Sequence, residues 1–509
     1  MKYLQNTLLA GTLLATSLQA AEWPVWGRDA SRNMVSDEKG APADWNIGQM
    51  DENEVVDMDT TEGIRWVAKI GSQAYGNTTV ANGKVIIGTN NESPRDKGKL
   101  GDKGVVYCFD EKTGEYIWQL CIPKLGAGKV SDWEYIGICS SAAIVGDKAY
   151  VVTNRCETVC LDLNGMANGN QGFKDEAKYL AEKGKPATVE KTDADILWVF
   201  DMREELGIFP HNVTSSSPII IDGVVYNATS NGVDWSHTNI PSPLSPNFIG
   251  LDAETGELVG EEASGASARC LHASWSSLTF GEIGGQKQII WGASDGYCYS
   301  FDPKAKEDDE GFLIYPELWR MECNEPHYRK DKDGKKIPYA TPPGPSECIG
   351  TPVLYDNKVY VAIGQDPEHG DGVGRLTCID PTKRGDITES GVVWKNTEIG
   401  RTISTVSVAD DLVYAAEYAG KIHCLDAQTG KVYWVHDTLS RIWGSTLVVD
   451  GKVYIGTEDG EIVIFQAGKE KKILNTVDMG APVYSSPVYA NDTLYVATQT
   501  HLYAIEGGK

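Results

Sequence analysis
Basic side chains are scarce in this chain: 46 Lys and Arg stand against 72 Asp and Glu, a net charge of −26. Binding to phosphate backbones needs a basic face, so nucleic acid is excluded as a partner and an anionic lipid surface is disfavoured. Long apolar runs are also missing. After the first twenty residues no stretch of about 18 uninterrupted apolar residues occurs, so the mature chain is expected to have no transmembrane segment. There is no Cys-x-x-Cys-His haem site and no phosphate-cradling glycine loop. What remains is an acidic exterior suited to a soluble protein.

The first twenty residues differ from the rest. Lys2, an apolar region over 8–14 and Leu18-Gln19-Ala20 before Ala21 read as a secretory signal peptide, residues 1–20, cut after Ala20. The mature chain is therefore expected in the periplasm or outside the cell. Eleven cysteines in an exported protein would ordinarily mean disulfides. Four of them, Cys108, Cys160, Cys378 and Cys424, instead lie two residues before a recurring Asp, a slot that Gly250, Ser300 and Ala504 fill elsewhere. That slot asks for a small buried side chain, and cysteine serves as one. Cys323 and Cys348 flank a long loop and are the candidate disulfide pair.

A tight-turn pair recurs between apolar runs: Asn82-Gly83, Gly146-Asp147, Asp222-Gly223, Gly284-Gly285, Asp356-Asn357, Asp410-Asp411, Asp450-Gly451 and Asn491-Asp492. Such pairs tolerate the positive φ of a two-residue hairpin, so each joins a strand A to a strand B. A third strand ending in Asp or Glu usually follows, and a fourth often carries Trp: Trp118, Trp198, Trp319, Trp394 and Trp434. A four-stranded unit of about 40 residues is one propeller blade. The eighth unit runs out at Tyr503-Ala504-Ile505 after three strands, and residues 64–71, with Arg65-Trp66, supply the missing fourth. The expected fold is thus an all-β, eight-bladed propeller over residues 64–509, preceded by an extended arm over 21–63. A short helix is expected around 175–183, inside an insertion at 164–195.

The repeated D-x-x-T-G-x-x-x-W, intact from Asp110 to Trp118 and from Asp426 to Trp434, resembles the PQQ-type propeller repeat. Trp23-Pro24, the segments HASWSS (272–277), GQDPEHG (364–370) and RTISTVS (401–407) extend that resemblance to exported PQQ-like repeat proteins. The family includes quinoprotein alcohol and glucose dehydrogenases and non-catalytic relatives such as the assembly factor BamB. The resemblance therefore implies either a ligand- or protein-binding module or a PQQ-dependent oxidoreductase, with PQQ and calcium as the cofactors in the second case. The adjacent Cys pair of methanol-dehydrogenase-like sites is absent, and fused haem is absent as well, which favours the binding module.

Residues just before each strand A are expected around the axis on the loop-rich face, where rigid scaffolds carry function. They are Tyr75, Glu134, His211, Asn212, Arg269, His272, Trp275, Glu347, Arg401, Arg441 and Trp443, with Tyr484 beside them. The B–C loops add Arg155, Asp234, Asp366, His369 and Glu417. Three arginines on one axis suit a small anionic ligand, and the aromatics suit a sugar-like ring; an envelope protein is the other partner class. The segment 366–371 has metal-capable side chains but no regular ligand spacing, so it reads as a solvated acidic loop and no metal site is assigned. The recurring serines, Ser140-Ser141, Ser215–Ser217 and Ser276-Ser277, read as strand-entry residues rather than nucleophiles.

Overall fold
The tight turns behave as their residues require. In seven of the eight A–B pairs both central residues have positive φ, as in Asp410 (49°) and Asp411 (59°); in the second pair only Gly146 does. Positive φ at both positions matches the twist of the flanking strands. The computed structural model describes residues 21–508 except 183, 342, 370 and 371; the residues read as a signal peptide, 1–20, and Asp371 lie outside the described residues. Eight four-stranded antiparallel blades are formed, three of them extended by extra strands at an edge. Blade 6, with strands Ser407–Ala409, Leu412–Ala416, Lys421–Asp426 and Val432–Asp437, is the regular form. Blade 8 takes Val488–Ala490, Thr493–Ala497 and His501–Glu506 from the end of the chain and Ile64–Lys69 from near its start. The ring is closed by this pairing, which leaves no open blade edge at the seam.

The small-residue slot has a geometric cause. In the four blades with a cysteine slot the third and fourth strands slip register at this position, and the slot residue faces the tryptophan: Cys108 opposite Trp118, Cys160 opposite Trp198, Cys378 opposite Trp394, Cys424 opposite Trp434. The indoles then reach into the next blade. Trp66, Trp118, Trp198, Trp394 and Trp434 donate Nε1–H to the carbonyls of Glu111, Leu163, Ala253, Ala427 and Gly468 at 2.8–3.1 Å. A Cβ on Gly114, Gly256 or Gly430 would lie 2.5–2.7 Å from the indole of the preceding blade, so the Gly of D-x-x-T-G is needed for blade stacking as well as for the turn. Cys323 and Cys348 are buried and unbridged. The expected helix is a single turn, Glu176–Tyr179.

The first part of the arm, residues 23–36, runs inside the ring and covers free inner edges of the first strands. Trp23 exchanges backbone bonds with Val80, and the amides of Ile144, Phe280, Leu354 and Val448 donate to Pro24, Ala30, Ser31 and Met34. The Asn33 side chain pairs with Val408 in the same way. At the centre the fully buried Arg32 donates to the carbonyls of Trp26 (2.7 Å), Leu278 (2.7 Å) and Ser217 (3.0 Å). Burial draws its pKa down to about 9, which still leaves a cation at neutral pH. The arm therefore plugs the axis at the end carrying the A–B turns.

Candidate functional site
Every blade enters its first strand through one side chain that accepts the backbone N–H of the preceding blade. Asn77 N–H donates to Ser141, Ser141 to Ser217, Ser217 to Ser277 and Ser277 to Thr351, at 2.9–3.3 Å. Thr351 donates to Thr405, Thr405 to Ser445, Ser445 to Ser486, and Ser486 back to Asn77, at 2.6–2.9 Å. This ring of eight bonds encircles the axis and accounts for the recurring serines as blade-to-blade ties. Seven of its residues, all but Ser141, line a cavity of about 320 Å³ whose lining also includes Trp26 of the plug. Tyr75 stacks on Tyr484 with ring centres 5.1 Å apart, and Trp443 lies 4.9 Å from Tyr484, giving one aromatic wall. Asn212, Trp275, Asp366 and Glu368 line the cavity as well.

Beside the Asn212–Asp366 side lies a cluster drawn from blades 3, 4 and 5. His211 and His272 sit on the connections entering blades 3 and 4, and His237 on the loop after Val224–Ala228. Tyr339 and Glu347 come from the connection entering blade 5, and Asp366 with His369 from the loop after Lys358–Ile363. Ring centres of His211 and His272 are 4.4 Å apart, those of His237 and His369 4.5 Å, and those of His211 and His237 5.0 Å. His211 Nδ1 lies 2.6 Å from the Val233 carbonyl, which can only accept, so Nδ1 carries the proton and Nε2 keeps its lone pair. Among the described residues that Nε2 and both ring nitrogens of His272 have no hydrogen-bond partner, and both residues are fully buried.

Carboxylates border these lone pairs. Asp366 Oδ2 is 2.8 Å from His369 Nδ1, 2.9 Å from the Tyr339 hydroxyl and 3.7 Å from His272 Nε2. Glu347 meets the same hydroxyl at 3.0 Å and receives the Ala273 amide at 3.2 Å. Burial lowers the pKa of His211 to about 4 and that of His272 well below the usual value, so both are neutral. Burial, then the nearby Asp366 charge, pushes Glu347 well above the carboxylate range. For Asp366 burial acts the same way but is outweighed by the hydrogen bonds and charge of His369 and by the Tyr339 hydroxyl, which hold it well below that range, and the bond to Asp366 raises His369. The ligand atoms of His211, His237 and His272 lie within 4.8 Å of one another, as do those of His272, Asp366 and His369. Neutral imidazoles beside one firmly ionised carboxylate are the donor types of a transition-metal site.

The model of the family described as outer membrane protein assembly factor BamB matches residues 372–509, the last blades of the ring. A segment of 123 residues is 30% identical to the outer membrane protein assembly factor BamB of Shewanella oneidensis, covering 21% of this chain and 31% of that protein. Another, of 181 residues, is 27% identical to the dehydrogenase subunit of the quinone alcohol dehydrogenase of Acetobacter aceti, covering 31% of this chain and 23% of that one. The crystal structure of BamB from Moraxella catarrhalis superposes on 87% of this chain and 97% of its own at a TM-score of 0.52 with 12% identity, a likeness of fold. The last blades resemble those of PQQ-like propeller proteins, and the whole chain shares their fold. The matched segments span about a quarter to a third of the length of the two relatives, so the likeness bears on the architecture and not on the activity.

The expected site residues divide. Tyr75, Asn212, Trp275 and Trp443 line the cavity, and His211, His272 and Glu347 join the cluster behind it. Glu134 is exposed and is not among the residues lining the cavity. Arg269 turns away to the buried Asp295 (3.1 Å) and to the Tyr299 hydroxyl (2.7 Å), because an ionised carboxylate there demands a partner. Arg401 and Arg441 lie over the Tyr418 ring at 4.3 and 5.4 Å, and Arg401 also donates to the Asp366 carbonyl. The three arginines thus form no common grip on a ligand. Of the loop residues, Arg155 pairs with Glu157, Glu417 with His423, and Asp234 folds its own exposed turn. Asp366, expected in a solvated acidic loop, is instead buried and bonded to His369 and Tyr339. Sequence reading missed His237 and Tyr339. Their one available signal was position, in two long insertions on the face that carries His211 and His272.

Proposed function
We propose that the protein is an exported binding module that takes a neutral, sugar-like ligand into its axial cavity from the loop-rich face. The observation that carries this reading is the make-up of the cavity. Its charged lining side chains among the described residues are Asp366 and Glu368, and the rings of Tyr75, Trp443 and Tyr484 stand on another wall. Aromatic faces stack on the C–H faces of a sugar ring while carboxylates and hydroxyls accept from its O–H groups. An anionic ligand is disfavoured by the same two carboxylates. The reading of residues 1–20 and the likeness to an outer membrane assembly factor support an envelope location.

Calorimetry of the mature chain against a panel of neutral oligosaccharides tests this, with binding expected to weaken about tenfold in Trp443→Ala. Absence of binding at about millimolar sugar would refute it. The quinoprotein alternative has a relative to support it but not the residues. PQQ carries several carboxylates, whereas the described residues lining the cavity offer two carboxylates and no arginine or lysine, and Arg269 is bound to Asp295. The residues do not fit that cofactor, and no uptake of PQQ is expected with or without calcium.

A further inference from the structure
We propose that His211, His237 and His272 bind one divalent first-row transition ion, and that Asp366 with His369 closes the site on the cavity side. The site goes beyond sugar binding and stands without it. Three observations converge. The ligand atoms already cluster within 4.8 Å, and the separation of His272 Nε2 and Asp366 Oδ2 is 3.7 Å. Two ligands held at bond lengths of about 2.0–2.1 Å around a tetrahedral ion stand at close to that separation, so small ring rotations complete the set.

The second observation is the absence of partners where a structural cluster would provide them. His211 Nε2 and both nitrogens of His272 are fully buried and receive no hydrogen bond from any described residue. Leaving such groups unpaired in the interior is costly, and a purely architectural histidine stack has no reason to bear that cost. The third is orientation. The Val233 carbonyl fixes the His211 tautomer with Nε2 free, and Trp275 Nε1 donates to the carbonyls of His211 (3.3 Å) and Val213 (2.9 Å), holding that backbone in place. Outer contacts of this kind set ligand direction in metal sites. The imidazole majority selects zinc or copper and not calcium or magnesium, which take oxygen ligands. Asp366 also lines the axial cavity, so a bound ion faces the space open to a ligand.

The test uses the full mature chain, stripped with a chelator and titrated separately with zinc, copper(II), cobalt(II) and calcium chloride, without any sugar present. Expected is one zinc or copper ion per chain, visible d–d bands of imidazole-bound cobalt, and no stoichiometric calcium. His272→Gln should abolish uptake. Because that position is fully buried, His237→Gln and His369→Gln, at half-buried positions, carry the decision if it misfolds. Each should weaken binding at least about tenfold with far-UV circular dichroism unchanged. The proposal falls if the wild-type chain takes up none of the three transition ions, if calcium alone binds, or if both half-buried variants bind as tightly as wild type. Loss of sugar binding with metal uptake intact would count against the cavity reading alone.

Discussion
Two sets of polar side chains meet around one axis, and they obey opposite rules. In the Ser/Thr/Asn ring every blade contributes one residue, and every member both accepts from the preceding blade and donates its own amide to the next. In the histidine–carboxylate cluster all members come from three adjacent blades, and three buried nitrogens have no partner among the described residues. Repetition with full satisfaction marks scaffold; local departure with unsatisfied groups marks a place where stability has been given up for something else.

The scaffold side of this contrast should break hardest. Trp394→Ala removes an indole packed against Gly430 and bonded to Ala427 of the next blade, and should destabilise the protein by ~3–5 kcal/mol in urea unfolding. Arg32→Ala strips three carbonyls of their shared buried cation; a loss of roughly 3 kcal/mol is expected, read by the same measurement. Ser277→Ala orphans the Ser217 amide in the ring and should cost about 1–2 kcal/mol. The cluster should respond with the other sign: metal-free His272→Phe, which replaces two unpaired nitrogens with carbon, should gain about 1 kcal/mol. If it loses as much as Ser277→Ala, the two regions do not differ as argued.

The smallest effect concerns acid. Asp426 is held below its usual pKa by the Tyr433 hydroxyl, then by the Thr429 hydroxyl and the amides of Thr429 and Gln428, with slight burial opposing. A depressed carboxylate stabilises the fold above its unfolded pKa, near 4, and that contribution disappears as pH falls through the folded value. Melting temperature should therefore drop slightly less on acidification in Asp426→Asn than in wild type. An identical acid response in the two proteins would mean that this turn contributes nothing measurable.

The turn pairs, the Trp strands, the Gly of D-x-x-T-G and the complementary chain ends were all legible in one dimension, because each acts over a few residues or through a repeat. The slot of Cys108, Cys160, Cys378 and Cys424 was legible as small and buried, although its cause, the tryptophan opposite a slipped register, was not. Blade alignment also placed His211, His272, Trp275 and Trp443 near the axis. It gave the wrong neighbours to Arg269, since the competing Asp295 is fixed by packing and not by spacing.

By itself the sequence determined the architecture: local turn chemistry repeated eight times, with two incomplete ends that complete each other, admits little but a closed ring of blades. What the tertiary structure alone decided is how the exceptions meet. His211, His237, His272, Asp366 and His369 share no motif and come from separate loops, so their contact exists only once the ring has closed and set blades 3, 4 and 5 side by side. Repeats propagate local rules along the chain; a site built from departures in neighbouring repeats depends on distances that only the folded ring supplies.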